Sequence, residues 1–205
     1  MLDLPFSEGV GNIVRDRSLY GNRGTIYGAS WIDGKIGKGL NFNGVDNYVE
    51  VTDATSLDVA AITIVGWIKT SVKQGYLLCK DNWTISAERG YALYEGLDGT
   101  GVLVFFVSTV ESGDKNCVGT IDVADGEWHF IVGTFDGENM KVYVDGELDG
   151  APLAHFGSIK ANSQLLTVGK YTLDGGEFDG IIDEVRVYNR ALTLAETQRL
   201  YNEGR

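Results

Sequence analysis

The sequence predicts an all-β protein, a two-sheet antiparallel sandwich with a short C-terminal helix. Glycine is abundant and proline scarce, with 28 and 2 residues in a chain of 205. Apolar segments of strand length recur along the chain, as they do in sandwich folds. Between them lie Asp-Gly and Asn-Gly dipeptides, which accept the positive φ angles of tight hairpin turns. Besides Asn43-Gly44, these turn signals begin at Asp33, Asp98, Asp125, Asp136, Asp145, Asp149, Asp174 and Asp179.

Twelve segments between the turns have the composition of strands. Segments 62–69 and 102–107 are apolar on both faces, which is typical of central strands in a sandwich. From Met140 to Val144, apolar residues alternate with Lys141 and Tyr143, which predicts one buried and one solvated face. The remaining predicted strands are 25–27, 40–43, 48–51, 76–79, 91–94, 117–121, 128–135, 165–168 and 181–188.

A helix is predicted near the end of the chain. Thr193 and Glu196 have the spacing of a capping box, in which each side chain bonds the other residue's backbone N–H. Gly204 marks the end of the helical segment. Because no repeat, low-complexity stretch or linker interrupts the sequence, we expect one domain over residues 1–205.

The charge balance narrows the choice of partners. The net charge of −12 disfavours the phosphate backbone of nucleic acids and anionic membranes. No run of 18 apolar residues occurs, so membrane insertion is not predicted. Residues 1–5 lack the basic and apolar regions of a signal peptide. A neutral polysaccharide or a divalent cation suits this composition better.

The two cysteines, Cys79 and Cys117, both fall in predicted strands. If the strands are neighbours, a disulfide could join them and stabilise the fold by roughly 4 kcal/mol in the chain-entropy model. Two buried free thiols are the alternative, and the sequence leaves both open.

Five segments carry distinctive motifs, which read DRSLYGNRG at 16–24, GLNFNGVDNYV at 39–49, EWHFIVGTFDG at 127–137, MKVYVDG at 140–146 and FDGIIDEVRVYNRAL at 178–192. In this order along the chain, they resemble the laminin G-like, concanavalin A-like family. That family has a tryptophan-histidine strand, a Tyr/Phe-Asp-Gly turn and a Tyr-Val-Asp-Gly hairpin.

The resemblance implies two antiparallel sheets of six or seven strands in a jelly-roll arrangement. It also implies a module of a larger secreted or cell-surface protein, often a carbohydrate-active one. Asn43 and Asn47 depart from the family, which often has aspartate at these two positions.

A structural calcium ion is a further implication of the resemblance. Calcium prefers oxygen ligands from carboxylates, amides and carbonyls. Asp16, Asn22, Asp46 and Asp183 lie in the segments that resemble the family's calcium site. From its spacing, Asp183 is expected to face the core in phase with Val185, where a buried carboxylate needs a cation or several donors. The alternative is that these residues only cap turns.

The predicted ligand-binding surface centres on Trp83, which lies in a polar loop beside Asp81 and Asn82. Aromatic rings can stack on the flat faces of sugars, while nearby polar groups bind the hydroxyls. The other aromatic candidates are Tyr91, Tyr94, His155 and Tyr171. Each of them could instead be a packing residue.

Catalysis is not predicted. Related glucanases place three acids on one strand as E-x-D-x-x-E, and no such run occurs here. The adjacent acids at 183 and 184 would point to opposite faces of a regular strand. His129 belongs to the family's structural strand and has no evident serine or cysteine partner.

The sequence therefore predicts a non-catalytic carbohydrate-binding or adhesion module with structural calcium. Its expected partner is a neutral polysaccharide or the sugar of a glycoprotein. Two alternatives stay open: a protein-interaction or structural module of a surface or fibre protein, and a glycoside hydrolase or polysaccharide lyase of the same fold.

Overall fold

A computed structural model describes residues 2–96, 98–173 and 175–204. Sixteen strands, two short 3-10 turns at Thr55–Leu57 and Ser86–Glu88, and one α-helix occur in this part of the chain. The strands and the helix are β1 (Leu2–Leu4), β2 (Ile13–Val14), β3 (Gly24–Tyr27), β4 (Ser30–Asp33), β5 (Lys38–Asn43), β6 (Tyr48–Val51), β7 (Ile62–Lys69), β8 (Gly75–Lys80), β9 (Tyr91–Glu95), β10 (Val102–Thr109), β11 (Gly113–Asp122), β12 (Trp128–Phe135), β13 (Asn139–Val144), β14 (Glu147–Ala154), β15 (Leu166–Val168), β16 (Asp179–Tyr188) and α1 (Leu194–Glu203).

The strands form two antiparallel sheets, which confirms the predicted jelly-roll sandwich. The first sheet has the order β14-β13-β12-β7-β16-β5-β4, with β1 also paired to β16. The second has the order β11-β10-β9-β8-β15-β6-β3-β2. Each sheet thus has eight strands among the described residues, more than the six or seven that the resemblance implied. The extra strands are short ones at the edges.

The main core fills the space between the sheets. It draws large side chains from both, among them Phe105 of the second sheet and Phe135 of the first, each fully buried. Gly133 shows how closely the sheets approach, because a Cβ there would lie 2.5 Å from the Phe105 ring. A larger side chain at this position would push the sheets apart.

The helix α1 covers the outer face of the first sheet. Thr193 and Glu196 form the predicted capping box, with Glu196 N donating to Thr193 Oγ1 at 3.3 Å. The Tyr201 ring stacks on Trp67 with centroids 5.6 Å apart. This helix also buries Tyr143, so the prediction that the Tyr143 face of β13 is solvated is wrong. Among the described residues, no helix is long and apolar enough to cross a membrane.

The predicted Asp-Gly turns form where the dipeptide joins two strands. Asp145 and Gly146 have φ angles of 52° and 83° and link β13 to β14. Asp149-Gly150 instead lies inside β14, where the pairing with β13 shifts register. Asp179 begins β16 and makes no turn of its own. Asp174 lies outside the described residues.

The two cysteines are buried free thiols. Cys79 in β8 pairs in register with Ala92 of β9. Ala92 pairs with Phe106 of β10, and Phe106 with Asn116 of β11. Directly paired residues share a face, so this row ends one residue before Cys117. The two thiols therefore lie three strands apart on opposite faces, which excludes a disulfide between them.

A β-bulge in β16 changes the direction of Asp183. The pairing with β7 shifts register just after Asp183, and Glu184 has a φ of 52°. Ile182 before the bulge and Val185 after it both face the core. Asp183 therefore faces outwards beside Trp67, its register partner. The prediction that Asp183 shares the core-facing phase of Val185 is wrong, because the extra residue of the bulge reverses the alternation.

Candidate functional site

The outer face of the second sheet carries two rows of side chains that are set by strand pairing. One row runs Cys79, Ala92, Phe106 and Asn116. The neighbouring row runs Tyr76, Tyr94, Val104 and Val118. Successive rows on one face of a sheet lie roughly 7 Å apart. The helix α1 lies on the first sheet, whereas on this face Cys79, Ala92 and Phe106 pack against Tyr171 from the loop after β15.

A cavity of about 340 Å³ lies over these rows. We call it the outer cavity. Its walls come from β8 to β11, from the loop after β8 and from the loop after β15. It is lined by Tyr76, Asp81, Trp83, Arg89, Ala92, Tyr94, Phe106, Asp114, Lys115, Asn116 and Tyr171.

Three tyrosines form one wall of the outer cavity. The Tyr76 ring stacks on Tyr94 with centroids 4.6 Å apart and leans on Tyr171 at 5.5 Å. Burial raises the pKa of all three phenols, that of Tyr171 to about 12. The hydroxyls therefore stay protonated at neutral pH.

Arg89 is held rigidly at the opposite side of the outer cavity. Its Nη1 lies 2.6 Å from Asp81 Oδ2 and its Nε lies 3.0 Å from Asp114 Oδ2. The guanidinium lies over Phe106, with Cζ 4.3 Å from the ring centroid. Two ion pairs and a stacked ring fix its orientation, so little entropy would be lost when it binds a ligand.

Asp81 is buried beneath this arginine. Its Oδ1 accepts from Gly90 N at 2.8 Å. Burial raises the pKa of Asp81, while the Gly90 N–H and Arg89 oppose that rise. Asp81 therefore anchors Arg89 and the start of β9, and is not free to bind a ligand on its own.

Trp83 stands at the rim with 69% of its surface exposed. Its backbone N–H donates to Tyr171 Oη at 2.7 Å, which joins two walls of the cavity. Asn82 accepts from Thr84 N and Oγ1 at 3.0 and 2.6 Å, which fixes the turn that presents the indole. An exposed tryptophan on an ordered turn is available for stacking.

The structure brings together four of the seven predicted ligand residues, which are Trp83, Asp81, Tyr94 and Tyr171. Asn82 lies directly behind them and is 4% exposed, so it shapes the loop without lining the cavity.

Two of the predicted residues lie elsewhere. Tyr91 points into the core between the sheets, where its hydroxyl donates to Leu57 O at 3.0 Å. His155 is 1% exposed and packs on Phe135 with ring centroids 5.5 Å apart. Both predictions are wrong for the same reason. The sequence alone does not show whether a side chain faces the core or the surface, because that depends on which strands pack around it.

Sequence reasoning missed Arg89, Tyr76, Phe106, Asp114, Lys115 and Asn116. Tyr76 and Phe106 lie in predicted strands, and pairing β8 with β9 and β10 would have placed them beside Tyr94. The local sequence does not reveal the role of Arg89, because its carboxylate partners lie 8 and 25 residues away along the chain.

Each of the four predicted calcium ligands makes hydrogen bonds within the protein, and the binding of calcium by them stays a prediction. The Asp16 carboxylate accepts from the N–H groups of Asp3, Ser18 and Asn22 at 2.9, 2.8 and 2.7 Å. It also accepts from Ser18 Oγ at 2.7 Å. Asn22 Nδ2 donates to Ser56 Oγ at 2.9 Å. Donors already surround the Asp16 oxygens, as in a turn cap.

The other two predicted ligands have different neighbours again. Asp46 Oδ1 accepts from the side-chain amides of Asn43 and Asn47 at 2.8 and 3.1 Å. Asp183 accepts from the N–H groups of Ile36 and Glu184 at 2.8 Å each. Burial raises the pKa of Asp183 to about 7. Among the described residues, no group of three or more His, Cys, Asp or Glu side chains could hold a metal ion.

We expect removal of calcium to leave the stability unchanged, because hydrogen-bond donors serve these oxygens. The melting temperature should be the same in excess EDTA and in excess calcium. A site saturated 100-fold above its Kd would instead add about 2.7 kcal/mol. A rise of several degrees on adding calcium to the EDTA-treated protein would contradict this expectation.

His129 connects two turns through its ring nitrogens. Its Nδ1 lies 2.9 Å from Asp145 Oδ2, and its Nε2 lies 3.2 Å from Asp125 Oδ1. Asp145 is the main cause of a raised His129 pKa. Among the described residues, both ring nitrogens face carboxylates and neither faces a hydroxyl or thiol nucleophile, so the geometry is structural.

These features define the class of protein: a two-sheet β-sandwich with an aromatic, polar-rimmed cavity on one outer face. The chain belongs to the concanavalin A-like lectin/glucanases superfamily, whose family profile matches residues 43–198. The resemblance read from the sequence is thereby confirmed. No curated protein sequence matches the chain.

Solved structures share the fold at low identity. The binding domain of Paraclostridial Mosquitocidal Protein 1 aligns with a TM-score of 0.76 and 18% identity, over 98% of this chain and 52% of that one. Domain 4 of AbnA, an extracellular arabinanase from Geobacillus stearothermophilus in complex with arabinotriose, has a TM-score of 0.73 and 21% identity, over 98% and 97% of the two chains.

A third similar structure is the binding domain of Botulinum Neurotoxin DC in complex with SialylT. It has a TM-score of 0.75 and 15% identity, over 100% of this chain and 51% of that one. The chain thus spans about half the length of the two toxin binding domains and nearly all of the arabinanase domain.

Proposed function

We propose that this chain is a non-catalytic carbohydrate-binding module and that the outer cavity is its binding site. The observation that carries the proposal is Trp83, an indole 69% exposed on an ordered turn above a wall of three tyrosines. An exposed aromatic ring on a fixed turn offers a flat apolar surface that is already oriented for stacking.

The outer cavity offers the two kinds of contact that a sugar requires. The Trp83 ring provides a flat apolar surface for a pyranose or furanose face. Arg89 and the protonated tyrosine hydroxyls provide donors for ring and hydroxyl oxygens, and Asp114 provides an acceptor. Since Arg89 is already fixed by Asp81, these polar groups are preorganised.

The charge of the cavity favours an uncharged sugar. Two acids, Asp81 and Asp114, and two bases, Arg89 and Lys115, line it among the described residues. The two acids balance the two bases, so the lining carries no net charge. The net charge of −12 further opposes a strongly anionic ligand.

We propose binding without catalysis because both carboxylates that line the cavity are paired with an arginine. A glycosidase requires one carboxyl as proton donor and another as nucleophile or base on opposite sides of the scissile bond. Asp81 and Asp114 both bind the same guanidinium, at 2.6 and 3.0 Å. Neither is free to exchange a proton with a substrate.

Two of the similar structures support this proposal through their ligands. The arabinanase domain was solved with arabinotriose, and the neurotoxin binding domain with SialylT. At 21% and 15% identity these neighbours share the fold alone. The residues of the outer cavity carry the argument for this chain.

Replacing Trp83 by alanine is the test. We expect the Kd for the best polysaccharide to rise about tenfold, which corresponds to about 1.4 kcal/mol of lost stacking. Affinity electrophoresis on a panel of neutral polysaccharides would identify the ligand, and calorimetry would give both Kd values. The fold should be unaffected, because the indole is exposed.

Phe156→Ala is the matched control, since Phe156 is 57% exposed and does not line the outer cavity. It should bind as the original protein does. Equal losses in both variants, or no retention on any polysaccharide, would refute the proposal. The second result would favour a protein-binding module.

A further inference from the structure

A second depression continues the outer cavity along the same face. It has a volume of about 380 Å³. Tyr94 and Asn116 line both spaces and so form their common boundary. The floor of the second depression is Val102, Val104 and Val118.

Strand pairing explains why the two spaces form one groove. Val104 of β10 pairs with Tyr94 on one side and with Val118 on the other. Phe106, one repeat further along the strand, pairs with Asn116 and lies in the first space. The floor of the groove therefore passes from aromatic to aliphatic over one strand repeat, roughly 7 Å.

We propose that the groove binds an extended carbohydrate chain across at least two adjacent subsites, and does not recognise a single terminal sugar. This inference rests on the proposed function. The first sugar occupies the outer cavity against Trp83. The next occupies the second depression and lays an apolar face on Val104 and Val118.

Two features support an occupant that crosses the boundary. Val118 is 49% exposed, so a ligand lying on it would remove apolar surface from water. The side chain of Asn116 is exposed and lines both spaces. It can donate to one sugar unit and accept from the next.

Chain-length dependence tests the proposal. The probes are gluco-, xylo-, manno- and arabino-oligosaccharides of one to six units, each titrated by calorimetry. For the series that binds, the trisaccharide should bind at least about tenfold more tightly than the monosaccharide. Val118→Glu should remove this gain and leave the monosaccharide Kd unchanged.

Val110→Glu is the control for an added surface charge, because Val110 is 67% exposed and lines neither space. It should retain the gain. Equal affinities of the original protein for one and three units, or a full gain in Val118→Glu, would overturn the extended groove alone. Failure to bind any member would overturn the carbohydrate-binding proposal as well.

Discussion

Replacing Lys80 by methionine is expected to destabilise the fold by about 3 to 5 kcal/mol, the usual cost of breaking a buried ion pair. The Lys80 side chain is fully buried. Its Nζ lies 3.0 Å from Asp53 Oδ1 and 3.2 Å from Asp58 Oδ1. Without the ammonium group, the two partly buried carboxylates would have lost their cationic partner.

Lys80 also supports the candidate site. Its Nζ donates to Asn162 O at 2.7 Å and to Asn162 Oδ1 at 2.9 Å. Asn162 Nδ2 in turn donates to Arg89 O at 3.1 Å. Loss of Lys80 should therefore loosen Arg89 and weaken sugar binding as well as stability.

Urea unfolding gives the free energy of unfolding of Lys80→Met, and Lys141→Met is the matched control. Lys141 is half-buried on the first sheet and forms no ion pair among the described residues, so its substitution should change the free energy of unfolding by less than about 1 kcal/mol. Similar stabilities for the two variants would show that the buried cation is not required.

Replacing Glu95 by glutamine is expected to remove a large pH dependence of stability. Glu95 is 1% exposed, and neither carboxylate oxygen has a hydrogen-bond partner among the described residues. Burial raises the pKa of Glu95 to about 8, with Asp122 adding to the rise and His129 opposing it. The folded protein therefore holds this proton more tightly than the unfolded chain does.

The direction of the effect follows from that difference. Below the pKa of an unfolded glutamate, near 4.3, Glu95 is neutral in both states and costs nothing. As pH rises towards about 8, folding must keep a proton that the unfolded chain has released, and stability falls. At 1.36 kcal/mol per pKa unit the loss is at most about 5 kcal/mol above pH 8.

The measurement is the melting temperature of the original protein and Glu95→Gln at about pH 5 and about pH 9. The variant should melt roughly 10 °C higher at the alkaline pH and differ little at the acid one. Glu138→Gln, at an exposed glutamate, should behave as the original protein. Parallel pH profiles for the original protein and Glu95→Gln would refute the assignment.

Local patterns predicted the long strands well. The bounds of β7 and β12 are those expected from their apolar runs, and the capping box set the start of α1. The short strands β1, β2 and β4 and the strand β14 were not predicted. β1 exists only because it pairs with β16 at the other end of the chain.

The face of a residue was harder to predict than its strand. The extra residue of the β-bulge directs Asp183 away from the core. Packing of helix α1, which is distant in sequence, buries Tyr143. Neither event leaves a mark in the local sequence. Trp83 was predicted correctly as exposed, since its polar loop gives it no periodic apolar neighbours.

Only part of the candidate site was predictable, because some of its residues are brought together by strand pairing. Trp83, Tyr94 and Tyr171 were recognised as aromatics in or near polar segments. Arg89 gains its role from Asp81 in the loop after β8 and from Asp114 in β11. Such a network depends on sheet order, which a single sequence does not specify.

The most direct test of the central claim is the indole N–H region of the ¹H–¹⁵N spectrum during titration with the oligosaccharide that binds. Of the four tryptophans, Trp83 lines the outer cavity, whereas Trp67 packs under α1 and Trp31 donates its indole N–H to Gly11 O. We predict that the Trp83 signal shifts with saturation while the other indole signals stay in place. A ligand that shifts another indole signal and leaves Trp83 unchanged would contradict the account.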